Sequence, residues 1–306
     1  MSFASTAVTV RRAESLLGPH VGSRPASAGC GQAWRRLAGL CGLVLLGLLV
    51  TAPLASAGPV ETVFHVTKAG SAVTVDHSAW TKLLTTYVKP QPDGLNRVDY
   101  ARFKAEGRPA LNAYLLALQA IDPTKLDRPE QFAYWANLYN AKTIDIVLEA
   151  YPVASIKDIK FGNFLASGPW SKKVLRVFDI ELSLDDIEHK ILRPYFKDPM
   201  VHYAVNCASV GCPNIFPEAF TGAKLSQQLD VCARDFVNSP RGVKVADGRV
   251  EASKLYNWFM SDFGNSEAAV LAHARLYAKP PQKDALDKAT KIATFNYDWS
   301  LNDIAR

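Results

Sequence analysis

The side chains best suited to chemistry are concentrated in one twelve-residue stretch, His202–Pro213, which reads HYAVNCASVGCP. It contains a histidine, an asparagine and two cysteines, Cys207 and Cys212. A cysteine attacks a carbonyl carbon as the thiolate, so it needs a basic partner within hydrogen-bonding distance. The stretch therefore predicts Cys207 as a candidate nucleophile, and the next question is which histidine could activate it.

The strand predicted for residues 201–206 bears on that choice. Side chains alternate between two faces along a strand, and His202 lies an odd number of positions before Cys207, so the two should point apart. We therefore expect His189 to be the closer partner of Cys207, while His202 remains a candidate. Further candidates, for orienting the imidazole, are Glu188, Asn140 and Asp298.

Two other interpretations use the same residues. Cys207 and Cys212 could form a structural disulfide in a domain that binds a small molecule, a peptide or a partner without catalysis; closing so small a loop would stabilise the fold by about 2 kcal/mol. Alternatively, these cysteines with His189 and His202 are ligand types that zinc accepts. Their spacing fits no standard zinc module, so we predict no metal and no cofactor.

A long helix is expected to support the site. Asp127 is a favourable N-cap, and Glu130 three residues later completes a helix-start pattern. Apolar residues then cover most of the helix circumference as far as residue 150, which predicts a buried helix. Asn137 and Asn140 lie on an otherwise apolar arc, where an unpaired amide would cost about 1 to 3 kcal/mol. We expect both amides to tie the helix to a neighbouring loop.

Shorter elements surround this helix in the prediction. The expected elements are a helix from Trp80 to Val88, hairpins around Asp179 and Asp247-Gly248, a short helix at 184–192, a helix at 225–236 that places Cys232 in the core, and a last strand at Ile292–Trp299. Together they predict an α+β fold in one domain, residues 58–306. In that fold the buried central helix packs on an antiparallel sheet that includes residues 201–206 and the last strand.

An export signal is predicted ahead of that domain. The apolar run Leu37–Val50 follows Arg35 and Arg36 and precedes Ala55-Ser56-Ala57, the layout of a secretory signal cleaved after Ala57. The run is shorter than the roughly 20 residues that a membrane-spanning helix needs. We therefore expect the mature protein to be periplasmic or secreted, with no membrane attachment after cleavage.

The charge of the chain is mostly a property of that signal. The full sequence carries a formal charge of +6, but residues 1–57 hold five arginines and one acid, which leaves a net charge of +2. Nothing in this balance points to nucleic acid as a partner. Cysteines 207, 212 and 232 remain, an odd number, so at least one should lack an intramolecular partner.

Several longer runs resemble an uncharacterised family, domain of unknown function 547. The runs that carry the resemblance are YWANLYNA (134–141), SIKDI (155–159), LSLDDIEHKILRP (182–194), NCASVGCP (206–213) and YDWSLN (297–302). The resemblance covers roughly Trp80 to Asn302 and implies one exported domain, without an agreed activity. The order of helix and polar strands is also distantly similar to papain-like and transglutaminase-like folds. In those folds the nucleophile usually opens the central helix, where this chain has no cysteine.

Overall fold

The computed structural model describes residues 58–161 and 168–306; the predicted signal, residues 1–57, lies outside these ranges. Leading up to the central helix are α1 (Pro59–Phe64), α2 (Ser78–Tyr87), β1 (Val88–Pro90), β2 (Asn96–Val98), α3 (Tyr100–Arg102), a π-helical turn (Phe103–Gly107) and α4 (Arg108–Gln119). No helix in the described ranges has the length and apolar character needed to cross a bilayer.

The second half of the chain alternates short strands and helices around α5 (Arg128–Ala150). Its elements are β3 (Leu175–Val177), β4 (Ile180–Leu182), a π-helix (Asp186–Phe196), α6 (Val201–Ala204), α7 (Leu225–Val237), β5 (Val243–Ala246), β6 (Arg249–Ser253), α8 (Lys254–Trp258), α9 (Glu267–Tyr277), α10 (Gln282–Asp287) and β7 (Thr294–Asn296).

The buried helix α5 begins as predicted, because the Asp127 side chain accepts a hydrogen bond from the Glu130 amide at 2.9 Å. Eighteen of its 23 residues are buried. Its principal neighbours are helical, among them α4, the π-helix and α7, rather than the strands of a sheet. The α+β class is therefore correct in its mixture of helices and strands, whereas the predicted packing of this helix on an antiparallel sheet is not observed.

Within the described residues, the strands form three small sheets instead of one. β1 pairs with β2 and β3 with β4, both antiparallel, and the third sheet has the order β5-β6-β7 with β6 and β7 parallel. Both predicted hairpins are confirmed, with Asp179 and the Asp247-Gly248 pair at positive φ in their turns. The last strand is shorter than predicted and ends at Asn296.

The strand predicted for residues 201–206 is wrong, because residues 201–204 form the helical turn α6. The Asp198 side chain accepts from the Met200 amide at 2.9 Å, and the Asp198 carbonyl accepts from the Val201 amide at 3.2 Å. Pro199 suits this first turn because it lacks an amide hydrogen and its φ is already helical. Four alternating residues after an Asp-Pro pair are thus compatible with a turn of helix.

Candidate functional site

A cavity of about 170 Å³ gathers most of the residues that the sequence singled out. Cys207, Cys212, Glu188, His189 and His202 all line it. Its other walls are Tyr139, Trp170, Asp185, Val205, Leu255, Trp258, Phe259, Tyr297 and Trp299. The cavity thus combines two thiols and several titratable groups with a largely aromatic surface.

Asn140 connects α5 to the segment that leads into the thiols. Its amide nitrogen donates to the Ala204 carbonyl at 2.8 Å, and its amide oxygen accepts from the Asn206 backbone at 2.8 Å. Asn137 holds both backbone groups of Phe220 in the same way. The expectation that these amides tie the helix to loops is confirmed, so Asn140 positions the thiol loop and bonds to backbone rather than to an imidazole.

The loop carrying the thiols is fixed by Asn206 and Arg241. The Asn206 side chain bonds across the loop, donating to the Pro213 carbonyl at 2.7 Å and accepting from the Ala208 amide at 2.8 Å. The guanidinium of Arg241 donates to the Cys212 carbonyl from the outer side. These contacts fix the backbone on which both sulfurs are carried.

The two thiols share one phenolic hydroxyl. The Tyr297 oxygen lies 3.0 Å from the Cys207 sulfur and 3.1 Å from the Cys212 sulfur, and 2.8 Å from the Ser209 hydroxyl. The Cys207 amide donates to the Cys212 sulfur at 3.1 Å. Both cysteines are free thiols, and so is Cys232, so the predicted structural disulfide between Cys207 and Cys212 is not formed.

This arrangement makes the thiol pair acidic. Burial raises the pKa of Cys212, but hydrogen bonds from the Cys207 thiol, the Tyr297 hydroxyl and the Cys207 amide outweigh it and lower the pKa to about 7. The pKa of Cys207 is raised well above its ordinary value, because its thiol is hydrogen-bonded to the Cys212 sulfur and is buried. The pair therefore loses its first proton from Cys212 near neutral pH, and Cys207, the more accessible thiol, keeps its own.

Glu188 brings a carboxyl group with a raised pKa to the same cavity. Burial raises the pKa of Glu188, while the neighbouring His202 and the hydrogen bond from Tyr139 oppose that shift. The Tyr139 hydroxyl donates to this carboxylate at 3.1 Å. A carboxyl group whose pKa is raised by an apolar wall keeps its proton to a higher pH than an ordinary glutamate.

His202 faces the cavity together with Cys207, contrary to the prediction from strand alternation, because residues 201–204 are helical. Its Nε2 lies 2.8 Å from the Asp262 carboxylate, and its ring stacks on Phe259 with centroids 4.2 Å apart. Arg193 binds both oxygens of the same carboxylate at 2.6 and 3.1 Å. Bonds from His202 and Arg193 hold the pKa of Asp262 well below its ordinary value, so the carboxylate is charged when it orients this imidazole.

His189 lies in the wall of the cavity, and Asp298 lies outside it. His189 is at the cavity edge, where its Nδ1 lies 3.2 Å from an Arg193 nitrogen and its Nε2 3.8 Å from Asp185. Burial and Arg193 lower the pKa of His189. Asp298 is exposed, lies outside the cavity, and accepts from the Ser300 amide at 2.8 Å. Its side chain therefore shapes a turn in the chain after β7.

Tyr297 and Asp262 are the site residues that the sequence analysis missed. Tyr297 lies within the YDWSLN run, but alternation along a strand to Trp299 favoured its neighbour Asp298. Because the strand ends at Asn296, that alternation does not extend to Tyr297. Asp262 had no sequence signal, since its partner His202 is sixty positions away.

A metal centre is not indicated by the described residues. Within residues 58–161 and 168–306, no group of three or more histidine, cysteine, aspartate or glutamate side chains is placed to hold a metal ion. The cavity contains residue types that can bind zinc. However, His202 is hydrogen-bonded to Asp262, and both thiols are hydrogen-bonded to Tyr297. The chemistry available to the site from its own residues is that of thiol, imidazole and carboxyl groups.

Comparison with family models gives a match for the central part of the chain. A search of curated proteins and a search of solved structures returned no match. Residues 123–237 match the family model described as "Protein of unknown function, DUF547", a range that includes α5, Glu188 and both cavity thiols but neither Asp262 nor Tyr297. The resemblance predicted from the sequence is therefore confirmed over residues 123–237, where the chain matches the model of that uncharacterised family.

Proposed function

We propose that the domain is a thiol-dependent acyl-transfer enzyme, a hydrolase or an acyltransferase, in which Cys207 is the nucleophile. The observation that supports this most directly is the shared bonding of both sulfurs to the Tyr297 hydroxyl, at 3.0 and 3.1 Å. That hydroxyl and the Cys207 amide stabilise negative charge on Cys212, which leaves a protonated and more accessible Cys207 beside a built-in base. Thiol nucleophiles in enzymes are activated in this way by an adjacent proton acceptor.

The proton transfers balance with the two thiols alone. As the Cys207 sulfur bonds to the substrate carbonyl carbon, its proton passes to the Cys212 thiolate. The bond to the leaving group then breaks, and the leaving oxygen, nitrogen or sulfur takes that proton from Cys212. Water or another acceptor attacks the resulting thioester by the reverse sequence, and its proton returns to the Cys207 sulfur through Cys212. The hydrolase and the acyltransferase differ only in the acceptor.

His202 and Glu188 provide further proton-transfer groups in this mechanism. His202 is held by Asp262 in the arrangement that orients a general base, and Glu188 has a raised pKa in the same cavity. His189 lies at the cavity edge, and its role as the partner of Cys207 remains a prediction. The order of importance among these groups is measurable by comparing the acylation rates of His202→Gln, Glu188→Gln and His189→Gln.

The proposal is tested with p-nitrophenyl acetate, a small activated ester. The protein should release one equivalent of p-nitrophenol in a burst, and mass spectrometry should find an acetyl group on the peptide that contains Cys207. Cys207→Ala should lose the burst. Cys232→Ala is the matched control, because Cys232 is a buried core thiol in α7 whose pKa burial raises, and it should keep the burst.

Two results would contradict the proposal. One is a burst that persists at the same size in Cys207→Ala. The other is ester that binds in the cavity without acylating any thiol, which would favour the alternative of a ligand-binding domain without catalytic activity. Circular dichroism of each variant shows whether the fold has been kept.

We also propose that the chain is exported and that the mature protein begins at Gly58. The apolar run at 37–50 and the Ala55-Ser56-Ala57 site support this. Expression of the full chain in a bacterium should give a periplasmic or secreted product whose N-terminal residue, determined by mass spectrometry, is Gly58. A product that keeps residues 1–57 would refute it.

A further inference from the structure

The charged side chains that line the thiol cavity are acidic. Among the described residues in its wall are the carboxyl groups of Asp185 and Glu188, and neither lysine nor arginine. Of the cations nearby, Lys173 and Lys190 contact Asp186, Arg193 binds Asp262, and Lys157 lies over the Trp299 ring, 5.1 Å from its centroid. A substrate therefore meets negative charge in this cavity.

Asp185 is the carboxyl group of the cavity wall that solvent reaches. Its side chain is 42% exposed, and its neighbour in the wall is His189, with Nε2 and Oδ1 3.8 Å apart. Burial and the charge of Arg193 lower the pKa of His189, which disfavours the protonated imidazole that would pair with Asp185. Burial raises the pKa of Asp185, while His189, Lys173 and Lys190 partly oppose that shift.

Aromatic rings form another part of the cavity wall. Trp258, Tyr297 and Trp299 contact one another with ring centroids 4.6 to 5.6 Å apart, and Trp258 is 44% exposed. Rings in mutual contact leave no room for a cation between them, so this is a continuous surface rather than an aromatic cage. Such a surface binds apolar groups by stacking and also attracts a neighbouring cation through the ring faces.

The size of the cavity sets the size of the apolar group. A cavity of roughly 150 Å³ in a protein holds one benzene molecule. The cavity of about 170 Å³ beside the thiols therefore has space for one aromatic ring or a branched aliphatic group of similar size.

We propose that the site is selective for aminoacyl donors, esters, thioesters or peptides whose acyl group carries a free α-ammonium group and one aromatic or large aliphatic side chain. The side chain packs on the surface formed by Trp258 and Trp299, and the ammonium group is bound by Asp185. This inference rests on the proposed function, because it assigns the group that Cys207 accepts.

The test compares two esters that differ only in the amino group. They are the p-nitrophenyl esters of phenylalanine and of 3-phenylpropionic acid, assayed at about pH 6, where an α-ammonium group stays protonated. We expect kcat/KM, corrected for spontaneous hydrolysis, to be about fivefold higher for the phenylalanine ester, the size expected for a partly exposed ion pair. In Asp185→Asn this ratio should fall to about one, and in Asp185→Glu, which keeps the charge, it should stay above one.

The control and the possible outcomes separate this inference from the proposed function. Glu181→Gln removes an exposed carboxylate outside the cavity and should keep the wild-type ratio. If both esters acylate Cys207 with a ratio of one or less, the ammonium preference is overturned while thiol catalysis stands. A ratio in Asp185→Asn equal to that of the wild type overturns the assignment of Asp185. If neither ester acylates the protein, the proposed function and this inference both fail.

Discussion

Replacing Tyr297 by phenylalanine should make the thiol pair less acidic. The substitution removes the hydroxyl that lies 3.0 and 3.1 Å from the two sulfurs and keeps the ring that packs on Trp258 and Trp299. A hydrogen bond to a charged group contributes about 1.5 kcal/mol at the lower end of its range, which corresponds to about one pKa unit. The first pKa of the pair should therefore rise from about 7 to about 8.

The assay is the pH dependence of alkylation by iodoacetamide. Since the thiolate is the reacting species, the thiolate fraction at pH 7 should fall from about half to about a tenth, and the alkylation rate by about fivefold. Mass spectrometry of the peptide that holds Cys207 and Cys212 excludes any contribution from Cys232. Rates of the two proteins should converge at about pH 10, where both pairs have lost a proton.

Tyr256→Phe is the matched control. It also removes one buried hydroxyl, which bonds to the Tyr203 hydroxyl at 3.1 Å and not to the thiols. Its alkylation midpoint should equal that of the wild type. An unchanged midpoint in Tyr297→Phe, or an equal shift in Tyr256→Phe, would refute the argument that the Tyr297 hydroxyl sets the acidity of the pair.

Three further predictions concern residues around the site and in the core. Asn140→Leu leaves two backbone groups of the thiol loop unpaired and should lower the free energy of unfolding, measured in urea, by about 2 to 4 kcal/mol; Asn137→Leu should lose as much stability but keep the alkylation midpoint. Asp262→Asn should slow acylation by p-nitrophenyl acetate at least tenfold, because His202 loses the carboxylate that orients it, and unchanged acylation would exclude His202 from the mechanism. Burial lowers the pKa of His77 from 6.5 to about 4, so below pH 6.5 the unfolded chain binds the proton first and stability falls as the pH falls. Between pH 7 and pH 5 this histidine should cost about 2 kcal/mol, and His77→Phe should lose correspondingly less over that interval, as measured by urea unfolding at both pH values.

The parts of the fold that could be predicted are those specified by neighbouring residues. The start of α5 depends on Asp127 and Glu130, three positions apart, and the turn at Asp247-Gly248 depends on two adjacent residues. The amides of Asn137 and Asn140 were recognised because a buried amide must be bonded, whichever loop provides the partner. These inferences need only local geometry and the energy of an unpaired polar group.

The parts that could not be predicted depend on distant contacts. Residues 201–206 alternate like a strand, and the helical turn is seen only from the hydrogen bonds of the folded segment, among them those made by Asp198. Because of that error, His202 and Cys207 were predicted to point to opposite faces. The hydroxyl of Tyr297 contacts the Cys207 sulfur although the two residues are ninety positions apart, and periodicity in the sequence cannot predict such a contact. The candidate residues were therefore found more reliably than the bonds between them.

The late position of Tyr297 in the sequence has a consequence for the order in which the site matures. The segment that follows Tyr297 is held to the thiol loop by a hydrogen bond from the Asn302 amide to the Ala208 carbonyl. Until a ribosome has completed this segment and it has docked, both thiols lack the hydroxyl that makes them acidic, and their pKa should be that of an ordinary cysteine, about 8.5. The two thiols of a nascent chain would thus be less reactive than those of the folded protein. An increase in their reactivity would report that the segment containing Tyr297 has docked.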